Sequence, residues 1–434
     1  MKPQRLLLNF WVKYNSTNFK NFLRILSIDS LVKVSGILLL PLYLKLMSQE
    51  EFGLYGYLFA MVTYLASLLN GGFYLIQSKL YFQYPENERG MVLYTLNVVL
   101  FATVFSILVL LVAFNLDKSF FSLLFKHPFD YPLFRWSLLA GVVATISSLM
   151  VTYYFLASGS IKRLQIFNIL RSSLIHVSAI GLLYALSEWN GAFIRISASY
   201  FTELILALIF IAIIYKSVSP IFSRDVVVKA ATLALPITIY TFFSLIIFLS
   251  DRFYIERLGS LKDLAVYNLA WVLAGVIPFI SNSVHSIWLP ELLKEKDPKI
   301  VGSKARSMGI KLLAGFAVIS VGMIVLTKVL LLFSIIDKKY EQVIPILPIV
   351  LLGSSILSVF QLVFNYLLSI SKITVLIYIS FFVAFGATWI TRIFVLEWGV
   401  YGAAFSMVLM NLGLLAPSLI SSFYFYKKTH AIEQ

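Results

Sequence analysis

Asp29 and Lys33 stand one helical turn apart in a run that is otherwise apolar from Val34 through Leu44 except for Ser35. A charge inside a bilayer costs at least about 2.5–3.5 kcal/mol on insertion scales, so each must hold a partner or line a polar cavity. Two readings are open for this pair. Asp29 lies N-terminal to Lys33, the favourable order for an i,i+4 ion pair that neutralises both. Alternatively, Lys33 faces a cavity as an anion contact and Asp29 tunes it.

Arginine forms the second group. Arg135, Arg195, Arg252 and Arg392 each lie near the same end of an apolar run, while Arg171 sits deeper from the opposite end. Any of the four can snorkel to the headgroups. Set at one depth on different helices, they can also form a basic vestibule, since the guanidinium fork donates two parallel hydrogen bonds to a phosphate. Snorkelling suits Arg171 less well, which points it toward a cavity. Asp251 adjoins Arg252, and that pair can latch a gate. Glu203 and His176 lie near mid-span. A buried carboxyl there would suit coupling to protons, against a structural role in which Glu203 partners Arg195 two turns away on its own helix.

These charges are sparse in a very apolar chain. Of 434 residues, 60% are hydrophobic and only 13% charged, with a mean hydropathy of +0.90; soluble domains run near 45–50% and about 25%. The chain therefore reads as a polytopic membrane protein. The net charge of +15 is spread without a basic run, which excludes a nucleic-acid binder. There is no cysteine, so disulfides, thiolate metal sites and a thiol nucleophile are excluded. His127, His176, His285 and His430 are too far apart for a helical metal face. No Walker loop, D-x-D or G-x-S-x-G occurs, and no loop is long enough for a catalytic domain. An enzyme is not expected.

Spans of about 20 apolar residues fall near 22–46, 52–78, 91–115, 132–157, 164–186, 192–215, 229–253, 264–289, 305–334, 342–369, 373–395 and 400–426. The expected fold is all-α, with about twelve transmembrane helices in two six-helix bundles around a central cavity. The expected divisions are a basic amphipathic cytoplasmic arm at 1–21, bundles at 22–215 and 229–434, and a cytoplasmic linker at 216–228. The arm lacks the long apolar core of a signal peptide, and a disordered tail is its other reading. Seventeen lysines and arginines fall in the termini and the loops on their side, against six opposite. Both termini are thus expected in the cytoplasm.

The halves read as copies. Shifted by 212 residues, Lys45-Leu46-x-Ser48-x-x-Glu51-x-x-x-Tyr55 lies over Arg257-Leu258-x-Ser260-x-x-Asp263-x-x-x-Tyr267, and Tyr154-x-Leu156 over Tyr366-x-Leu368. At 209, Glu188-Trp189 lies over Glu397-Trp398. Six helices separate each pair, which gives a parallel repeat with its pseudo-axis along the membrane normal and suggests alternating access.

The stretch Met47-Ser-Gln-Glu-Glu-Phe-Gly-Leu-Tyr-Gly56, with the helix ending Asn70-Gly-Gly72, resembles the turn between the first two helices of Wzx-type polysaccharide flippases. These belong to the multidrug/oligosaccharidyl-lipid/polysaccharide exporter superfamily. Ser250-Asp251-Arg252-Phe253 with Gly259 through Tyr267, and Tyr154 through Gly159, are similar to further stretches of that family, although Ala265 stands where it usually has glycine. The resemblance implies a bacterial inner-membrane flippase that carries an undecaprenyl-diphosphate-linked oligosaccharide to the outer leaflet. It would need no cofactor, with coupling to protons or sodium left open. Its partners would be membrane lipids, with glycan polymerase and chain-length proteins as further candidates. On that reading Lys33, Arg135, Arg171, Arg195, Arg252 and Arg392 contact the substrate, and Asp29, Asp251, Glu203 and His176 gate or couple. The alternatives are a cation-coupled drug exporter with an acidic cavity, and a membrane glycan polymerase or ligase, which would need a large extracytoplasmic loop.

Overall fold

The computed structural model describes residues 35–432, apart from 128, 217, 219, 283, 285–297 and 371. The expected N-terminal arm, Asp29 and Lys33 lie outside the described residues. The described chain is helical: α1 (Ser35–Leu46), α2 (Gln49–Asn70), α3 (Phe73–Gln83), α4 (Arg89–Ala113), α5 (Leu116–Leu124), α6 (Tyr131–Ala157), α7 (Ile161–Ala185) and α8 (Gly191–Tyr215) come first. Then follow α9 (Arg224–Leu258), α10 (Leu261–Ala274, continuing past Gly275 to Asn282), α11 (Pro298–Leu332), α12 (Val343–Ser369) and α13 (Ile373–Ile432). Among the described residues ten helices are long and apolar enough to cross a membrane. One of them, α13, breaks at Gly399 (φ 55°) into two parts, and α1 is a shorter apolar helix.

The repeat is visible at the helix ends. Ser48 caps α2, accepting from Glu51 N at 3.1 Å, while Glu51 accepts from Ser48 N at 2.7 Å. Ser260 and Asp263 build the same reciprocal cap on α10. Each box satisfies N–H groups that a helix start leaves without partners. The two caps stand 212 residues apart, as do the ends of α6 at Ala157 and α12 at Ser369. Glu51 also accepts from Gly191 N at 2.6 Å, so one carboxylate serves the N-termini of α2 and α8 together.

Two expected spans change shape. The run 52–78 is not one helix: Gly71 and Gly72 take φ of 56° and 72°, left-handed values that glycine tolerates without steric cost. The turn sends α3 toward α9, where an added Cβ at Gly72 would strike the Ile237 side chain. The run at 229–253 is longer than expected, because α9 carries its charged ends, Arg224 to Leu258, within a single helix.

In the first half α6 packs on α8 and α8 on α7; in the second, α13 packs on α9 and on α12. Two belts join them. In one, Val226, Ala230 and Ala234 at the start of α9 pack on Ile76 and Leu80 of α3 and Val92 and Leu96 of α4. The other lies where α2 crosses α10 at the Ser48/Ser260 end.

Candidate functional site

At the α2/α10 crossing the backbones touch. An added Cβ at Gly53 would fall on the Leu261 carbonyl, and one at Gly56 on the Asn268 side chain. Asn268 uses both ends of its amide. It donates to Gly53 O at 3.1 Å and accepts from Arg252 Nε at 3.2 Å. Arg252 is buried, with its guanidinium carbon 4.7 Å from the Trp271 ring centroid. Asp251 accepts from Arg252 N at 2.7 Å, lies 3.5 Å from the Arg252 guanidinium, and takes the Tyr267 hydroxyl proton as a hydrogen bond. The charge is thus compensated inside the second bundle, and Asn268 passes the contact to the first. A water-sized void lined by Ser250, Asp251, Trp271, Ser406 and Asn411 adjoins the carboxylate.

The rim of this crossing is also tied. Lys262 pairs with Glu50 at 3.2 Å, Gln49 donates to Lys339 O at 3.3 Å, and Phe52 meets Tyr340 edge-on at 6.1 Å. Midway along, Tyr64 stacks on Phe248 across the same seam at 6.1 Å.

Arg195, one turn into α8, is held differently. Its guanidinium carbon lies 3.7 Å from the Tyr43 centroid and 3.8 Å from that of Tyr55, a stack between α1 and α2. Only 9% of the residue is exposed. Among the described residues no carboxylate lies within ion-pair distance, and its side-chain acceptor there is the Met47 sulfur at 3.8 Å. Two covered faces leave the guanidinium edge, with its fan of N–H donors, without an oxygen acceptor among the described residues. His176 of α7 joins the cluster through Nδ1, 2.9 Å from the Tyr43 hydroxyl.

The other sequence candidates have separate partners. Arg171 of α7 pairs with Glu203 of α8 at 3.3 Å, so Glu203 finds its cation on the neighbouring helix rather than in Arg195 on its own. Arg135 grips Asp117 of α5 with two nitrogens, at 2.7 and 3.1 Å, and Tyr131 donates to the same carboxylate at 2.5 Å. Burial alone would raise the Asp117 pKa; the Tyr131 and Arg135 hydrogen bonds outweigh it and bring it below the ordinary value. Arg392 is exposed. Asp251 with Arg252, Arg171 with Glu203, and His176 with Arg195 through Tyr43 are the groupings the fold makes.

Three residues escaped the sequence reading. Asp117 sits in α5, too short to register as a span. Asn268 carries no charge, although it lies 212 residues after Gly56 in the repeat. Glu256 is fully buried at the end of α9, but beside Arg257 it reads as part of a solvated turn. Among the described residues no group of three or more His, Asp or Glu is placed to hold a metal.

A two-lobed, all-helical bundle with ten membrane-length spans among the described residues and charges buried near the lobe seam is the build of a multi-pass membrane transporter or flippase. The chain belongs to the polysaccharide biosynthesis protein family, whose model matches residues 19–294. No curated protein matches it. Its fold is similar to that of a solved structure titled lipid II flippase MurJ, inward closed conformation, at 15% identity and a TM-score of 0.69, covering 92% of this chain and 87% of that one. It is also similar to an inward-facing MATE multidrug resistance transporter of the MOP superfamily, at 12% identity and a TM-score of 0.61, over 93% and 99%. A third similar structure is a MATE protein in complex with Br-NRF, at 14% identity and 0.61, over 96% and 98%.

Proposed function

We propose that this protein is an inner-membrane flippase that moves an undecaprenyl-diphosphate-linked oligosaccharide from the cytoplasmic to the outer leaflet. The observation that carries the substrate class is Arg195. A buried guanidinium stacked between Tyr43 and Tyr55, with no carboxylate beside it among the described residues, has its edge donors free to receive an anion. A site for organic cations would place an unpaired carboxylate there instead. Family membership in polysaccharide biosynthesis supports the glycan part of the substrate.

On this reading the polyprenyl tail stays in lipid while the diphosphate-sugar head passes between the lobes. No covalent bond forms or breaks. The work is a shift between states closed at opposite ends, driven by the differential affinity of each state for the head. The basic residues of the terminal-side loops orient the chain with both termini in the cytoplasm, which makes the α2/α10 crossing the outer seal. Asp251 and His176 are the candidates for coupling to protons or sodium, and the void beside Asp251 supports access of a small species to that carboxylate. A glycan polymerase and chain-length proteins would then use the delivered product.

The experiment is genetic. In the native host, loss of the chain should leave lipid-linked oligosaccharide accumulating on the cytoplasmic leaflet and the surface glycan missing. Restoration by the parent chain but not by Arg195→Ala, at equal membrane level, is the expected result. A normal surface glycan in the null strain would overturn the proposal.

A further inference from the structure

The segment after α5 crosses the end of α9, and hydrogen bonds with α2 and α9 hold it there. Tyr57 of α2 donates to Leu124 O at 3.2 Å, and Arg257 of α9 donates to Leu123 O at 2.9 Å. These are carbonyls of the last turn, which a helix end leaves without an internal partner. Glu256 completes the grip from the second bundle. Its two oxygens accept from Lys126 N at 2.9 and 3.0 Å, and Oε1 also accepts from His127 N at 2.8 Å and faces His127 Nδ1 at 3.1 Å. The residue is 0% exposed. No lysine or arginine side chain pairs with it among the described residues, so these donors, all from the first bundle, are what balance its charge. A buried carboxylate is tolerated only while such donors are in place.

We infer that Glu256 is a positioning residue for transport: it straps the 123–127 segment of one lobe to α9 of the other and holds the lobes closed at the α2/α10 end. The inference rests on the alternating-access reading above, but its test needs no substrate and so fails or holds independently. Opening this end must pull the 126 and 127 amides off the carboxylate. It must also admit water to solvate it, or the charge is stranded. Glutamate makes that exchange two-sided, because the ionised group is satisfied in both states. A neutral amide of the same shape is satisfied only in the open, solvated state: when closed, one of its two ends is a donor facing donors.

The chain has no cysteine, which provides a clean background for cross-linking. Glu50→Cys with Lys262→Cys reports the lobe seam, since the native side chains meet there at 3.2 Å; a short bis-maleimide, adding one cysteine thiol at each end, spans them. Ser137→Cys with Ser197→Cys reports packing within the first bundle, where the native hydroxyls are 2.7 Å apart. In membranes, Glu256→Gln should slow seam cross-linking at least threefold while the Ser137/Ser197 pair reacts as in the parent. Glu256→Asp, still charged but one methylene short of the amides, is the second variant and should do the same. Parental seam cross-linking in both variants would overturn the inference. Loss of the Ser137/Ser197 pair in both would also overturn it, by making Glu256 a folding residue.

Discussion

Asn268 donates its side-chain amide to the carbonyl of Gly53, 3.1 Å away, and so joins the second helical bundle to the first where their backbones are in contact. The bond forms only because residue 53 has no Cβ: a methyl there would meet the Leu261 carbonyl, a backbone atom with no rotamer to retreat to. Small residues at a crossing let transmembrane helices approach this closely.

Gly53→Val should therefore separate α2 from α10. Overpacking costs about 1–3 kcal/mol where side chains can adjust, and here the obstacle is main chain. The expected outcome is a lowered Tm in detergent together with loss of Glu50/Lys262 cross-linking. A parental Tm and parental cross-linking would show that the crossing is looser than the contact implies.

Arg171 and Glu203 distinguish a scaffold pair from a substrate contact. Removing one member strands a charge in the apolar interior, at about 2.5–3.5 kcal/mol on insertion scales, whereas removing both can be near neutral. Arg171→Gln and Glu203→Gln should each lower protein level and export. The double variant should recover both, as measured by membrane abundance and surface glycan. A double variant that is abundant yet inactive would move Arg171 into the substrate path.

Asp117 makes stability depend on pH. Its folded-state pKa lies below the ordinary 3.8, so its contribution is fully present above the unfolded-state value and is lost as pH falls through the folded one. The Tm gap between the parent and Asp117→Asn should be widest near neutrality. It should narrow below pH 3.8 and close further down. A gap that does not change with pH would mean that ionisation of Asp117 contributes nothing to the fold.

Helix type and the repeat were legible in the sequence because they depend on local pattern: apolar length, and matching residues 212 apart; the Ser48 and Ser260 caps lie inside that match, each a hydroxyl three residues before a carboxylate. The sequence did not show which way a buried charge turns. Along its own helix Arg195 is one partner open to Glu203, and only helix packing brings Arg171 of α7 to it instead. The break at Gly71 and Gly72 was hidden by continuous hydropathy, which carries no information on φ, although Asn-Gly-Gly is a turn signal in its own right. Glu256 was missed because burial at a helix end depends on the 126–127 segment arriving from the other bundle. No spacing encodes that arrival.

Arg195 should behave as a ligand group rather than as a structural cation. Arg195→Ala should reduce transport by about ten- to a hundredfold, the span expected when charge-assisted hydrogen bonds of about 1.5–3 kcal/mol are lost. Arg195→Lys should recover only part, since an ammonium lacks the planar fork and stacks poorly between two rings. Tyr43→Phe keeps the stack and drops the His176 bond, so it should retain transport close to the parent. Initial rates across substrate concentrations check all three, and parental rates for Arg195→Ala would reduce Arg195 to a packing element.

The most direct measurement is translocation by the purified protein in proteoliposomes. A fluorescent polyprenyl-diphosphate oligosaccharide is placed in one leaflet, and its head group is followed by quenching from the other side. The flippase reading requires protein-dependent crossing of the diphosphate-linked head, saturable and at least about tenfold slower in Arg195→Ala, with no movement of a cationic dye. Crossing of the dye with no crossing of the lipid-linked glycan would contradict it.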